Sequence, residues 1–409
     1  MSTRKRWGVA LVLGTLVAGP ALASGFSIFE QSAKASGQAG AWVARADDAA
    51  SNWYNPAALL RQDGMQFQIG TNLIPIGENT DFTVTDTTYL ALVGMTPPQT
   101  YAAEGNLATP SHIYFSHKAS DRIAWGVGLN NPFGLITEWK DLPVTLSARK
   151  SELVTWVLNP NVAIGLGQWS VAVGADYMLA DVTESSRDVE RSELGLPPGE
   201  VVARSNLIGD GDAWGYNIAL HRAGERWSFG LTYRSELSPK IEGDLKFSDI
   251  STASPVYAAV FQNTQGSAEL DLPAQAAIGV AWHASDSCDV ELDIAFAGWS
   301  SFERLAIDTE DPNFDEVLEE NWDDTLSYRI GTAWGLAEAH ELRFVAVYDE
   351  APIPAETLRP SIPDGDRTGV SLGYGYSSTK WNLDAYLMPL WFADATAMGD
   401  AADGVIDGT

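Results

Sequence analysis

A chain of 409 residues with 54 Asp and Glu against 25 Lys and Arg, a formal net charge of -29, is a poor partner for nucleic acid, whose phosphates call for cations. Its one cysteine, Cys288, excludes an internal disulfide. Five histidines show no metal-ligand spacing except the pair His112 and His117, which reads as strand surface or lumen, so no metal or other cofactor is expected.

In chain order, residues 1–23 have the three parts of an export signal: Arg4, Lys5 and Arg6, an apolar run over 7–18, and Ala21-Leu22-Ala23 as a small-residue cleavage site. The apolar run is short of the ~20 residues that a spanning helix needs. Cleavage after Ala23 removes three cations and takes the net charge from -29 to -32. Residues 24–64 are rich in Ala, Gly and Ser and have no continuous apolar stripe, so they cannot build a core of their own. They need a container.

From residue 65 onward the pattern has period two. Trp227, Phe229, Leu231 and Tyr233 alternate with Ser228, Gly230, Thr232 and Arg234, and Val290, Leu292, Ile294 and Phe296 alternate with Glu291, Asp293, Ala295 and Ala297. One such strand fits a soluble sandwich equally well. The order of connections does not. Thirteen strands are predicted, near 65–74, 110–118, 121–130, 149–165, 168–183, 210–222, 226–246, 266–284, 287–306, 323–336, 340–349, 366–377 and 380–392, joined alternately by short turns and long loops. That is the arrangement of an outer-membrane barrel. Trp169, Trp227, Trp282, Trp334 and Trp381 all fall near short turns, where an interfacial girdle belongs. Such barrels normally have an even strand number, so a fourteenth strand is expected to be missing at the C-terminus, or else one strand within 75–109 escapes the count.

The plug-like segment and the strands together resemble the FadL/TodX outer-membrane transporters of hydrophobic compounds. The similarity runs through Gly25-Phe26, Asp47-Asp48-Ala49, Asn55-Pro56-Ala57, Gly134-Leu135-Ile136-Thr137-Glu138-Trp139, Gly298-Trp299-Ser300-Ser301-Phe302, Tyr328-Arg329-Ile330-Gly331 and Ser361-Ile362-Pro363-Asp364-Gly365-Asp366-Arg367. This resemblance implies an all-β fold: a transmembrane antiparallel β-barrel, fourteen-stranded in the family, with residues 65–409 as the wall and 24–64 as a plug (hatch) in the lumen. It also implies Asn55, Pro56 and Ala57 as a rigid plug corner, and a kink in the third strand that opens the wall sideways. Gly126, Gly128, Asn131 and Pro132 are suited to that kink.

The expected function is passive uptake of long-chain fatty acids or uncharged hydrocarbons, in an outer membrane with lipid and lipopolysaccharide around a monomer. Leu194, Leu196, Val256, Tyr257, Val260 and Phe261, with Pro197 and Pro198, form either an outer substrate groove or a local packing cluster. Arg187, Arg234, Arg329 and Arg367 are candidate partners for a carboxylate, and the last three are equally explained as lumen partners of Asp and Glu. The acidic stretch Asp308, Glu310, Asp311, Asp315, Glu316, Glu319 and Glu320 would repel anions. A diffusion porin is the alternative, although it would not need a plug. An outer-membrane hydrolase would need a nucleophile and base set that the scattered histidines do not supply.

Overall fold

A computed structural model describes residues 7–11, 25–77, 79–85, 94, 96–197 and 199–398. The flanks of the export signal, its cleavage site, Pro198 and the tail from 399 lie outside the described residues.

Among the described residues the wall is an antiparallel sheet of thirteen strands, each bonded to the next. They are β1 (Met65–Thr71), β2 (Ser111–Lys118), β3 (Ile123–Asn130), β4 (Lys150–Leu166), β5 (Trp169–Glu190) and β6 (Val201–Arg222). There follow β7 (Trp227–Arg234, resumed at Lys240–Ser248), β8 (Thr264–Glu269 and Gln275–Ser285) and β9 (Cys288–Ala297, resumed at Arg304–Thr309). The series ends with β10 (Thr325–Ala337), β11 (His340–Asp349), β12 (Arg367–Ser377) and β13 (Asn382–Leu387 with Leu390–Phe392).

The alternation in sequence becomes an alternation of faces. In β4, Val157, Asn159, Asn161 and Ala163 are buried, while Leu158, Val162 and Ile164 are 44%, 45% and 49% exposed. Apolar residues on the outside and polar ones on the inside invert a soluble sandwich and suit a lipid surround. The five predicted girdle tryptophans all project outward, and Trp227 stacks on Trp282 at 6.1 Å between ring centroids.

Two strands run far past their predicted ends. β5 and β6 are 22 residues each, and their ladder continues from Ser185↔Leu207 to Glu190↔Val201. Beyond the lipid no apolar stripe is required, so this polar part of the hairpin reads as loop in sequence. The first long connection forms two small ladders of its own, Ile74–Ile76 with Asn106–Ala108 and Asp81–Val84 with Gln99–Ala102, and the described residues there add no wall strand. On the outer edge of β1 lies Trp7–Leu11, paired in parallel from Trp7↔Met65 to Leu11↔Ile69. Among the described residues this is the one parallel ladder of the sheet.

The plug occupies the lumen. Its helices α1 (Ala33–Ser36) and α2 (Ser51–Tyr54) and the 3-10 helix Pro56–Arg61 are each too short to stand alone. Small residues are what the confined space admits: a Cβ built on Gly37 would meet the Cα of Gly373 in β12 at 3.0 Å. The firmest hold is a carboxylate clasp from β9. Asp293 accepts the backbone N–H of Trp42 at 2.9 Å and Val43 at 3.1 Å, and Glu291 accepts those of Ala44 at 2.6 Å and Arg45 at 3.3 Å. Both acids are fully buried, where such bonds contribute roughly 1.5–3 kcal/mol each. Replacing both, as Glu291→Ala with Asp293→Ala, is expected to loosen the plug and raise single-channel conductance while the folded barrel still resists detergent. A double variant as closed as the wild type would refute the clasp.

Candidate functional site

The third strand leaves its neighbour at a defined point. The ladder of β3 runs unbroken against β4 from Ile123 and against β2 from Ala124, in both cases to Asn130 and straight through Gly126 and Gly128. Pairing is therefore continuous at those two glycines, and the ladder does not end there. They make room for the plug, since a Cβ on Gly126 would meet Asn52 Oδ1 at 2.4 Å and one on Gly128 would meet Asn52 Nδ2 at 2.9 Å. The break falls at residues 131–133. Beyond it Gly134–Glu138 resumes pairing with β4 but no longer with β2, and three residues of the third strand oppose two of the fourth.

The plug takes over the vacated edge. Ile28 N–H donates to Pro132 O at 2.8 Å, Gly134 N–H donates to Phe26 O at 2.9 Å, and Ser27 faces Phe133 as an antiparallel bridge. Side chains lock the same junction: Ser111 N–H donates to Asn131 Oδ1 at 2.8 Å, Gln31 Nε2 to Asn131 O at 2.6 Å and Asn130 Nδ2 to Gln31 Oε1 at 3.0 Å.

Asn55-Pro56-Ala57 forms a corner deeper in the lumen. Asn55 is extended, caps the 3-10 helix by accepting from Ala57 N–H at 3.1 Å, and donates from Nδ2 to Val43 O at 2.8 Å and to Leu220 O of β6 at 3.2 Å. Pro56 begins the helix, where its missing N–H costs nothing. Ala57 O accepts from Ser170 of β5 at 2.8 Å.

Above the break sits an aromatic cluster that sequence reasoning missed. Phe26 is only 2% exposed, with ring centroids of Trp299, Trp322, Phe133 and Phe302 at 4.9, 5.7, 6.2 and 6.3 Å. Its one signal in sequence is that Trp299, Phe302 and Trp322 fall where the period-two pattern stops. Gly25, at φ +60, donates to Asp364 Oδ2 at 3.1 Å and lets the arm enter the cluster. Trp322 donates from Nε1 to Glu320 at 3.0 Å, and Glu320 pairs with Arg359 at 2.7 Å. Burial pushes the Glu320 carboxyl up to about 7, with Arg359 pulling the other way.

Arg234, Arg329 and Arg367 come together. All three line one cavity between the plug and the wall, with about 930 Å³ of empty space, open solvent included. Arg234 pairs with Asp176 and lies 3.7 Å from the centroid of a Trp53 ring, while Arg367 pairs with Asp349. Arg187 lies apart, held by both carboxylate oxygens of Glu193 at 3.0 Å. In the outer loops Leu194, Tyr257, Val260 and Phe261 pack into one cluster with Phe247 and Phe314, whereas Leu196 and Val256 are 44% and 57% exposed. A second hollow of about 1380 Å³ opens among the long loops, with Phe82, Ile136, Leu358 and Phe392 on its apolar side.

Comparison with known proteins follows the same lines. A family model described as outer membrane protein transport protein (OMPP1/FadL/TodX) matches residues 14–404. The long-chain fatty acid transport protein of Escherichia coli O6:H1 is 26% identical over 404 residues, covering 90% of this chain and 86% of its own. The crystal structure of a Pseudomonas aeruginosa FadL homologue superposes with a TM-score of 0.80 at 20% identity, over 94% of this chain and 96% of that one. That of the toluene transporter TodX of P. putida gives 0.62 at 17% identity, over 84% and 87%. At these identities the two structures establish the fold.

The Glu320 contact sets a pH response. A carboxyl raised by burial binds its proton more readily folded than unfolded, so its contribution to stability grows as pH falls from about 7 towards about 4. Tryptophan emission should therefore titrate with a midpoint of about 7 as Trp322 loses its anionic acceptor, and Glu320→Gln should abolish that transition. An unchanged titration in the variant would refute the assignment.

Proposed function

The chain belongs to the outer membrane protein transport protein family (OMPP1/FadL/TodX), and on that premise we propose that it carries hydrophobic molecules passively and releases them sideways between β2 and β3. As a member of that family it is a transport protein of fatty acids or hydrocarbons, and not an enzyme. The observation that carries the lateral route is the pairing of the plug arm with the broken third strand, through Ile28 to Pro132 and Gly134 to Phe26. Along most of the wall neighbouring strands satisfy one another; at this break the plug arm does so. Withdrawing the arm would leave an opening in the wall.

Energetics favours a ligand-driven opening. Phe26 fills the aromatic cluster, and burying such a side chain is worth roughly 1.5–3 kcal/mol. A hydrophobic solute that takes its place offsets that loss, so binding and arm release are coupled through one site. A solute then leaving into lipid keeps its apolar surface away from water, whereas exit through the polar lumen would expose it. The plug occupying the lumen argues against a steady diffusion pore. The reading places lipid on the outward face, lipopolysaccharide at the long-loop end, and one barrel as a self-sufficient monomer, exported with its signal removed after Ala23.

Ser27 and Phe133 form the narrow, non-hydrogen-bonded kind of antiparallel pair, with Cα atoms about 4.5 Å apart, close enough for a disulfide. In a Cys288→Ser background, Ser27→Cys with Phe133→Cys is expected to stop uptake of labelled oleate and labelled toluene when oxidised and to restore it on reduction. Full uptake through the completely oxidised protein would sink the lateral route. N-terminal sequencing of the protein from outer membranes should begin at Ser24, and retention of residues 1–23 would contradict the export assignment.

A further inference from the structure

On a wall that faces lipid a charge in the outward row is costly at the bilayer midplane and becomes tolerable only towards the interfaces. Arg222 stands in that row. Along β6 the outward residues before it are Trp214, Tyr216 and Ile218, all strongly exposed, and its ladder partners are Trp169 of β5 and Phe229 of β7, which face outward as well. It is the last residue of β6, at the short-turn end, and Trp227 stacked on Trp282 continues the same aromatic belt. Lipid thus surrounds this cation at the level where apolar tails give way to headgroups.

The guanidinium is positioned but not neutralised. Its carbon lies 5.9 Å from the ring centroids of both Trp169 and Phe229, and Nη2 donates to Gln168 Oε1 at 3.2 Å. Gln168 is itself tied down, since its backbone oxygen accepts from Ala223 N–H at 3.2 Å and so joins two neighbouring turns. Among the described residues Arg222 forms no ion pair, although Glu225 lies in its own turn, and most of its N–H donors are unspent. That turn holds two cations, Arg222 and Arg226, against the one acid, in a chain whose net charge is -29. Arg234 and Arg367, inside the barrel, are by contrast each paired with an aspartate. A planar fork held between two rings, with donors left over, matches the oxygens of a phosphate. Short turns mark the periplasmic end of such a barrel, so the phosphate within reach belongs to a phospholipid of the inner leaflet.

We infer that Arg222, framed by Trp169 and Phe229, binds the phosphate of an anionic phospholipid in the leaflet at the short-turn end. This rests on the outer-membrane reading and is independent of the cargo. The test titrates full-length protein in nonionic detergent with dioleoyl phosphatidylglycerol and dioleoyl phosphatidylcholine and reads bound lipid by native mass spectrometry. Wild type should hold the phosphatidylglycerol about fivefold more tightly, the size expected for one cation at an anionic surface. Arg222→Gln should bring the two lipids close to equal. Arg222→Lys should keep part of the preference, because the charge stays and the fork is lost. Arg122→Gln, which removes a cation from another turn of the same rim, should change nothing. A preference that survives in Arg222→Gln overturns the site, as does an equal loss in Arg122→Gln, which would reveal diffuse rim charge, or a wild type without preference. Should the Gln variant fail to fold, Arg222→Lys decides: a preference weaker than wild type supports the site, and an undiminished one overturns it. Wild type that inserts into vesicles of the two lipids yet retains neither in detergent overturns the site alone, whereas failure to insert at all overturns the outer-membrane reading and the site with it.

Discussion

Inside lipid no water is at hand to complete a backbone hydrogen bond, and the architecture follows from that shortage. It makes successive strands of the wall bond to one another and turns apolar side chains outward and polar ones in. It also makes a departure from the ladder noteworthy. At residues 131–133 the third strand gives up its partner, and the orphaned backbone is satisfied by the plug arm instead of by another strand. The break in the third strand and the plug's first residues are therefore a single structural element.

The plug is not held evenly. Residues 42–45 give four backbone N–H groups to Glu291 and Asp293, and Asn55 and Ala57 bond to β6 and β5. The arm over residues 25–28 has two backbone bonds to the third strand, one to Asp364, and the burial of Phe26. Charge-assisted bonds are about twice as strong as neutral ones. The division of labour is thus set by chemistry: a base anchored on buried carboxylates and an arm retained mainly by apolar packing, the kind of contact that a hydrophobic molecule can replace.

Much of this was legible in sequence because it follows from periodicity. The thirteen strands, the alternating turns and the outward tryptophans are all consequences of one lipid face, and a lipid face is written residue by residue. What had no stripe was not legible. The upper halves of β5 and β6 stand clear of lipid and read as loop. Gly126 and Gly128 suggested a kink, since a strand glycine can mark either a bend or a close approach, and only the position of Asn52 decides between them. Asn131 and Pro132 are strand-breaking in sequence, but the arm around Ser27 that pairs there lies about a hundred residues away and shares no pattern with them. Four arginines, Arg187, Arg234, Arg329 and Arg367, are candidates from sequence, yet that Arg234 and Arg367 are paired depends on Asp176 and Asp349, strand residues distant in sequence.

The acidic chain and its cationic cavity raise the question of which charge an approaching anion experiences. Seven acids over residues 308–320 suggest repulsion at the mouth. Glu320, however, is buried against Arg359, and most of the others lie on or beside the Arg304–Thr309 and Glu316–Glu319 ladder, open to solvent. At physiological ionic strength the field of exposed charges decays over about 8 Å, so the loop acts on an anion only in close passage. Within the lumen Arg234 and Arg367 already pair with Asp176 and Asp349. The repulsion of the loop is therefore local to the mouth, and the net charge of the chain does not decide the charge of its cargo.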